Sequence, residues 1–182
     1  GDTIRIMNYG SLIPNGIYGA SIVGGMGGSS IPYYADNPLN GSDFTLLEMR
    51  ITSSTADPIT TIPTSLVSVL PWNPADVNQT REIVFSPVNM GSNGALNGPF
   101  QFNGDPFDIN VVNYEIPLNN VEIWELRNQS QIAHPFHIHD VQFNILEING
   151  VAPPPHMQGW KDVVLVPSQN GTAKFITKFE DF

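Results

Sequence analysis

The sequence predicts an all-β chain, and three observations predict it. Glycine and proline are frequent, 16 of each in 182 residues, and interrupt the chain too often for long helices. Charged residues make up 13% and hydrophobic residues 41%, a mix poor in the Glu and Lys that exposed helix faces favour. Short runs of alternating apolar and polar residues recur between turn signals, the pattern of an antiparallel sandwich or barrel.

The elements follow in order. Residues 3–7, TIRIM, alternate and read as a strand. A stretch rich in Gly and Pro comes next; its GGMGGSS segment (24–30) reads as an exposed loop, and GGMGGSSIPYYADNP reads equally as a substrate rim or a disordered connection. FTLLEMRIT (44–52) is the second strand. From Ser53 to Ala75 the period-two pattern disappears and Pro58, Pro63, Pro71 and Pro74 appear, which marks a linker. The chain therefore divides into residues 1–52, a Pro-rich linker at 53–75, and a second unit at 76–182.

Within the second unit, strands are expected at TREIVFSPV (80–88), GPFQFNG (98–104), VEIWELRNQ (121–129), HIHDVQFNILEING (137–150), WKDVVLVP (160–167) and TAKFITKF (172–179), with a Gly/Asn-rich turn region before the second of them. In the last strand Ala173, Phe175, Thr177 and Phe179 share one face, with Lys174 and Lys178 on the other. The run Val163–Val166 does not alternate and predicts a strand covered on both faces.

Seven basic against 17 acidic residues give a net charge of −10, so a polyanion is repelled and nucleic acid is excluded as a partner. No apolar run approaches the roughly 18 residues that a membrane-spanning helix needs. The absence of cysteine excludes disulfides, zinc ribbons and thiol nucleophiles within this chain. The opening GDTIRIMNYG already reads as an amphipathic strand, not as a leader. The sequons at Asn40, Asn78, Asn128 and Asn170 read as coincidences of a chain rich in Asn, Ser and Thr.

Three of the four histidines, His134, His137 and His139, fall within AHPFHIHD. Period two puts His137 and His139 on one face of a strand, where they can address one metal or two adjacent ones. His134, three residues back across Pro135, leaves from the opposite face, so one strand serves two sites. Imidazole suits copper, zinc, iron and nickel alike, so the ligand type leaves the metal open. A cupin site wants a carboxylate or amide shortly after the second His and then a Gly, but Phe143 and Asn144 stand there. A carbonic-anhydrase-like site needs a third His on a neighbouring strand, whereas His156 sits in the Pro-rich APPPHMQGW and reads as a loop residue. Asp162 reads as a group orienting a neighbouring His, with proton donation as the other role. Trp124 and Trp160 read as core.

HPFHIH resembles the motif of the multicopper oxidases, the family of laccases, bilirubin oxidases and cuprous oxidases. VEIWELRNQSQIAHPFHIHDVQFNIL resembles the family's third-domain strand, turn and His-Pro-x-His-x-His strand, and GWKDVVLVP resembles the strand that follows. FQFNGDPFD is similar to the family's NGKPFD-type segment, and the region before the linker resembles the end of a second cupredoxin domain. The resemblance implies a cupredoxin-like Greek-key sandwich, comprising most of a third domain plus the end of a second. By position it implies His134 as a type 1 copper ligand, His137 as a type 2 ligand and His139 as a type 3 ligand. It further implies one-electron oxidation of a small-molecule or metal-ion reductant, reduction of O2 to water, and an extracellular, periplasmic or cell-surface location.

The family's His-Cys-His segment and its first-domain His-x-His pairs do not occur in this sequence. The expectation is therefore that the chain is part of a longer oxidase and inactive alone. Two other readings stay open: a copper-free structural or interaction member of the same family, and a separate metal-binding β domain using His137, His139 and His156.

Overall fold

The computed structural model describes residues 2–23, 34–64, 67–89 and 98–180. The GGMGGSS loop and the Gly/Asn-rich turn after residue 89 lie outside the described residues. Among the described residues before position 53, two strands form, β1 (Thr3–Tyr9) and β2 (Asp43–Arg50), paired antiparallel with an irregularity between Ile6 and Met7. This two-stranded sheet leaves Ile4, Ile6, Leu47 and Met49 exposed.

Among the described residues, nine strands follow residue 75: β3 (Gln79–Pro87), β4 (Phe100–Phe102), β5 (Asp105–Pro106), β6 (Val121–Asn128), β7 (His134–His137), β8 (Phe143–Ile148), β9 (Trp160–Lys161), β10 (Val163–Val166) and β11 (Gly171–Lys178). Seven form one sheet in the order β5-β4-β3-β6-β11-β8-β9, while β10 and β7 pair separately. The alternation seen in the sequence is an inside–outside alternation. Ile83, Phe85, Trp124, Leu126, Ala173 and Phe175 face the core. Glu82, Glu125, Arg127, Glu147 and Lys174 face outward, where Lys174 bonds Glu125 at 2.9 Å. The β7–β10 pair supplies Phe136, Val164 and Val166 to the same core, and Phe136 packs against Phe85, Trp124 and Phe175. The result is the expected cupredoxin-like all-β fold.

Two expectations are corrected. The sheet is not wholly antiparallel, because β3 runs parallel to β6 from Gln79↔Glu122 to Phe85↔Asn128. The chain between them must return to the far end of the sheet, which it does through the β4–β5 hairpin and the turns up to Asn120. Nor is β10 covered on both faces. It belongs to a two-stranded sheet, so Val164 and Val166 are buried while Val163 remains 45% exposed.

One charge is fully buried in this core. Glu122 shares the inward face of β6 with Trp124 and meets Arg81 of β3, at 2.6 Å from Nε and 3.0 Å from Nη2. The Trp124 indole N–H donates to the same carboxylate at 3.0 Å, and Asn120 Nδ2 donates at 3.3 Å.

Between Ile51 and Pro71 the described residues form no strand or helix and lie mostly exposed. The segment is anchored at both sides. Before it, the Ala133 N–H donates to the Gly16 carbonyl at 2.8 Å. Gly16 has φ +89°, and a Cβ there would meet Ser168 Oγ at 2.7 Å, so this close approach needs glycine. After it, Trp72 meets Trp160 edge-on at 5.7 Å, with Lys178 Nζ 5.4 Å from the Trp72 ring.

Candidate metal centre

The histidine strand is aimed by the turn before it. Asn128, fully buried at the end of β6, accepts from the Ser130 N–H (2.9 Å) and hydroxyl (2.7 Å), and donates to the Ile132 and Val166 carbonyls (2.7 and 3.3 Å). This Asx-type turn replaces backbone ladder bonds where the chain leaves the sheet. It delivers the chain into β7, where residues three apart lie on opposite faces. His134 therefore shares the inner face with Phe136, and His137 the outer face with the exposed Pro135.

His134 is half-buried. Its ring stands edge-on to Phe100 at 4.4 Å and to Phe85 at 6.1 Å. Burial pushes its pKa below the ordinary 6.5, so the imidazole is neutral at pH 7. Its Nε2 lies 2.8 Å from Ser130 Oγ. The one proton of that hydroxyl is taken by Asn128 Oδ1 or the Ile132 carbonyl (2.7 and 2.8 Å), so the oxygen accepts from Nε2–H. Nδ1 is left with a lone pair.

His137 has the reverse arrangement. Its Nδ1 lies 2.7 Å from the Asp162 backbone carbonyl, which can only accept, so Nδ1 donates to it and Nε2 is the nitrogen left without that bond. The Asp162 carboxylate is farther, with Oδ2 at 3.9 Å. Asp162 thus orients the histidine as expected, but through its backbone oxygen.

His139 departs from the expected geometry. The predicted strand 137–150 is broken: β7 ends at His137, residues 138–142 bend, and β8 begins at Phe143. Asp140 at φ +72° forces the turn, the buried Val141 pins it, and Thr177 Oγ1 donates to the Gln142 carbonyl at 2.8 Å. The bend still brings the His139 ring to 4.8 Å from His137. Both rings line an open cavity of about 800 Å³ with Ile138, Asp140, Val141, Gln142 and Asp162.

Among the described residues, no group of three or more His, Asp or Glu is assembled for one ion. His156 lies exposed in the short turn Pro155–Met157 and does not join His137 and His139. Trp124 is core as expected, and Trp160 packs on Trp72. The supporting residues Asn128, Ser130 and Thr177 escaped sequence reasoning. Their one visible signal is Asn128-Gln-Ser, which has the form of a sequon, whereas its Asn is buried and builds the turn.

The fold is a cupredoxin-like sandwich with imidazoles on both faces of one strand. A family model described as multicopper oxidase matches residues 70–179, and the chain belongs to that family. It is 38% identical over 88 residues to a multicopper oxidase of Staphylococcus haemolyticus, covering 46% of this chain and 20% of that protein. It is 35% identical over 92 residues to the cell division protein FtsP of Photorhabdus laumondii, covering 50% and 17%. Among solved structures, the laccase-like multicopper oxidase CueO from the lignin-degrading bacterium Ochrobactrum sp. superposes with a TM-score of 0.63 at 28% identity, covering 78% of this chain and 32% of that one. The chain thus spans about a fifth of the length of its curated oxidase relative.

Proposed function

We propose that this chain is the third-domain part of a longer oxidase that takes single electrons from a small-molecule or metal-ion reductant and passes them to O2. The observation that carries this reading is the pair of imidazoles on opposite faces of β7, each held through one ring nitrogen: Nε2 of His134 by Ser130, Nδ1 of His137 by the Asp162 carbonyl. Imidazoles oriented through one ring nitrogen, with the other left to bind, fit copper. His134 would hold a type 1 copper, His137 a type 2 copper and His139 one of a type 3 pair. Copper in these places would supply one-electron oxidation on the inner side and reduction of O2 to water on the outer side. The residues of this chain bind and orient: Ser130 and the Asp162 carbonyl fix the tautomers, Thr177 holds the bend bearing His139, and Phe100 and Phe85 keep water from His134.

Three histidines divided between two faces do not complete these sites, so the remaining ligands, including a thiolate, come from elsewhere in the longer protein. The exposed Ile4, Ile6, Leu47 and Met49 support reading residues 1–52 as the end of a second cupredoxin domain, with 53–75 as linker and 76–182 as the third. Export to an extracellular, periplasmic or surface location goes with this reading. In the full-length protein, His134→Ala is expected to remove the blue absorption, and His137→Ala to keep it while abolishing O2 consumption. Loss of the blue band alone in both variants would refute the assignment by face.

The likeness to FtsP favours a second reading, a structural member of the family in cell division. Full-length protein that takes up no copper when reconstituted would establish it in place of the first.

A further inference from the structure

Two spaces meet at the bend that bears His139. Val141 and Gln142 line the open outer cavity together with His137 and His139. They also line a second space, of about 110 Å³, with Trp72, Trp160, Lys178 and Glu180. That volume is well below the roughly 300–1,000 Å³ of ligand sites, so these side chains act on one another rather than on a bound molecule. Trp72 ends the exposed stretch before β3 and meets Trp160 edge-on at 5.7 Å. Lys178 Nζ lies 5.4 Å from the Trp72 ring and donates to Glu180 at 2.7 Å.

We propose that Trp72 is a positioning residue, which acts through Trp160 and the Val141–Gln142 bend to hold His137 and His139 in place. Trp160 opens β9, the edge strand of the large sheet, which pairs with β8 at two positions, Phe143↔Lys161 and Asn144↔Trp160. So short a ladder leaves the lie of the strand to side-chain packing. Asp162 follows β9 directly, and its carbonyl accepts from His137 Nδ1 at 2.7 Å and from the Ile138 N–H at 3.3 Å. A shift of Trp160 therefore moves the oxygen that orients His137. The second path runs through β11, where Lys178 adjoins Thr177, whose hydroxyl holds the Gln142 carbonyl at 2.8 Å. Both supports of the outer histidines thus meet at one indole that comes from outside the sheet. His134 is held from the other face, by Ser130, Phe100 and Phe85. The inference deepens the reading of His137 and His139 as copper ligands, and on that reading Trp72 sets how firmly the outer copper is held.

The test uses the full-length protein with Trp72→Ala, Trp72→Phe and, as a control, Ile62→Ala, a 92% exposed side chain of the same stretch. Histidine ring signals in NMR spectra of the copper-stripped protein read the geometry without any turnover. Trp72→Ala is expected to shift the ring signals of His137 and His139 and to leave those of His134 in place. Trp72→Phe, which keeps an aromatic edge against Trp160, restores them. Should Trp72→Ala not fold, Trp72→Leu serves in its place. In the copper-loaded protein a chelator should strip the outer copper of Trp72→Ala about tenfold more readily while the blue absorption stays, the low end for losing a group that orients a ligand. Ile62→Ala changes neither. Unmoved His137 and His139 signals overturn the assignment. Equal movement of all three rings overturns it too, because that is a general loosening. If the outer rings move as expected but the protein takes up no copper, the oxidase reading falls and the positioning role stands. If copper binds and the variant resists the chelator as the wild type does, the role of Trp72 falls alone.

Discussion

Arg81→Met isolates the buried charge in the core. The variant keeps the aliphatic stem of the side chain and removes the guanidinium 2.6 Å from Glu122. The carboxylate is fully buried and the arginine side chain only 13% exposed, so water replaces little of what is lost. Removing one partner of a buried pair typically costs about 3–5 kcal/mol. Glu122 retains the Trp124 indole and Asn120, which places the expected cost near the lower end, about 3 kcal/mol. With a urea slope of about 2 kcal/mol/M this lowers the unfolding midpoint by about 1.5 M at pH 7. Tryptophan fluorescence is a suitable probe, since Trp124 touches the pair.

The pH dependence sharpens the test. Burial pushes the Glu122 carboxyl up, and the bonds from Arg81, Asn120 and Trp124 with the Arg81 charge outweigh it, holding it below its ordinary 4.5. Its folded pKa is depressed, so the wild type has this stabilisation above 4.5 and loses it as pH falls toward the folded value. Without Arg81, burial raises the carboxyl above 4.5, and the variant regains stability as pH falls through that raised value. The gap between the two proteins must narrow on acidification. Adding Glu122→Gln to Arg81→Met should restore more than half of the loss, because a buried amide costs less than an unpaired carboxylate. A loss under about 1 kcal/mol, or a gap that does not change with pH, would refute the argument.

Two further outcomes follow from single contacts. Thr177→Val should cost about 1 kcal/mol by removing the bond to the Gln142 carbonyl and should shift the His139 ring signals in NMR spectra, while Thr177→Ser restores both; equal behaviour of the two variants would show that the hydroxyl does not hold the bend. Gly171→Ala places a Cβ against the Pro167 carbonyl oxygen, backbone that cannot step aside, and should destabilise by about 1–3 kcal/mol in urea titrations; an unchanged midpoint would mean that the turn opens freely.

The sequence displayed the strands best where one face is buried. In β6 and β11, Trp124, Leu126, Ala173 and Phe175 alternate with charged residues, and that contrast exists only because water lies on the other side. It failed for Val163–Val166, where an all-apolar run hides the alternation and burial depends on which strands come to lie beside it. The parallel pairing of β3 with β6 was invisible for a related reason, since partner choice is a tertiary outcome with no local signature. At the histidines, odd spacing sufficed to separate His134 from His137, because it needs only a few extended residues. His139 joined its expected neighbour by a route that alternation does not describe. The turn rests on Asp140, and a left-handed aspartate carries no Gly or Pro to announce it.

The two anchors that flank the exposed residues between Ile51 and Pro71 tie the chain to the large sheet on both sides of them. The Gly16–Ala133 bond lies before these residues and the Trp72–Trp160 contact directly after them. For such a loop, doubling the length costs only about 0.6 kcal/mol of closure entropy. Insertions there should be nearly neutral, and a single peptide cleavage between Ile51 and Pro71 should leave two pieces that still travel together under native conditions.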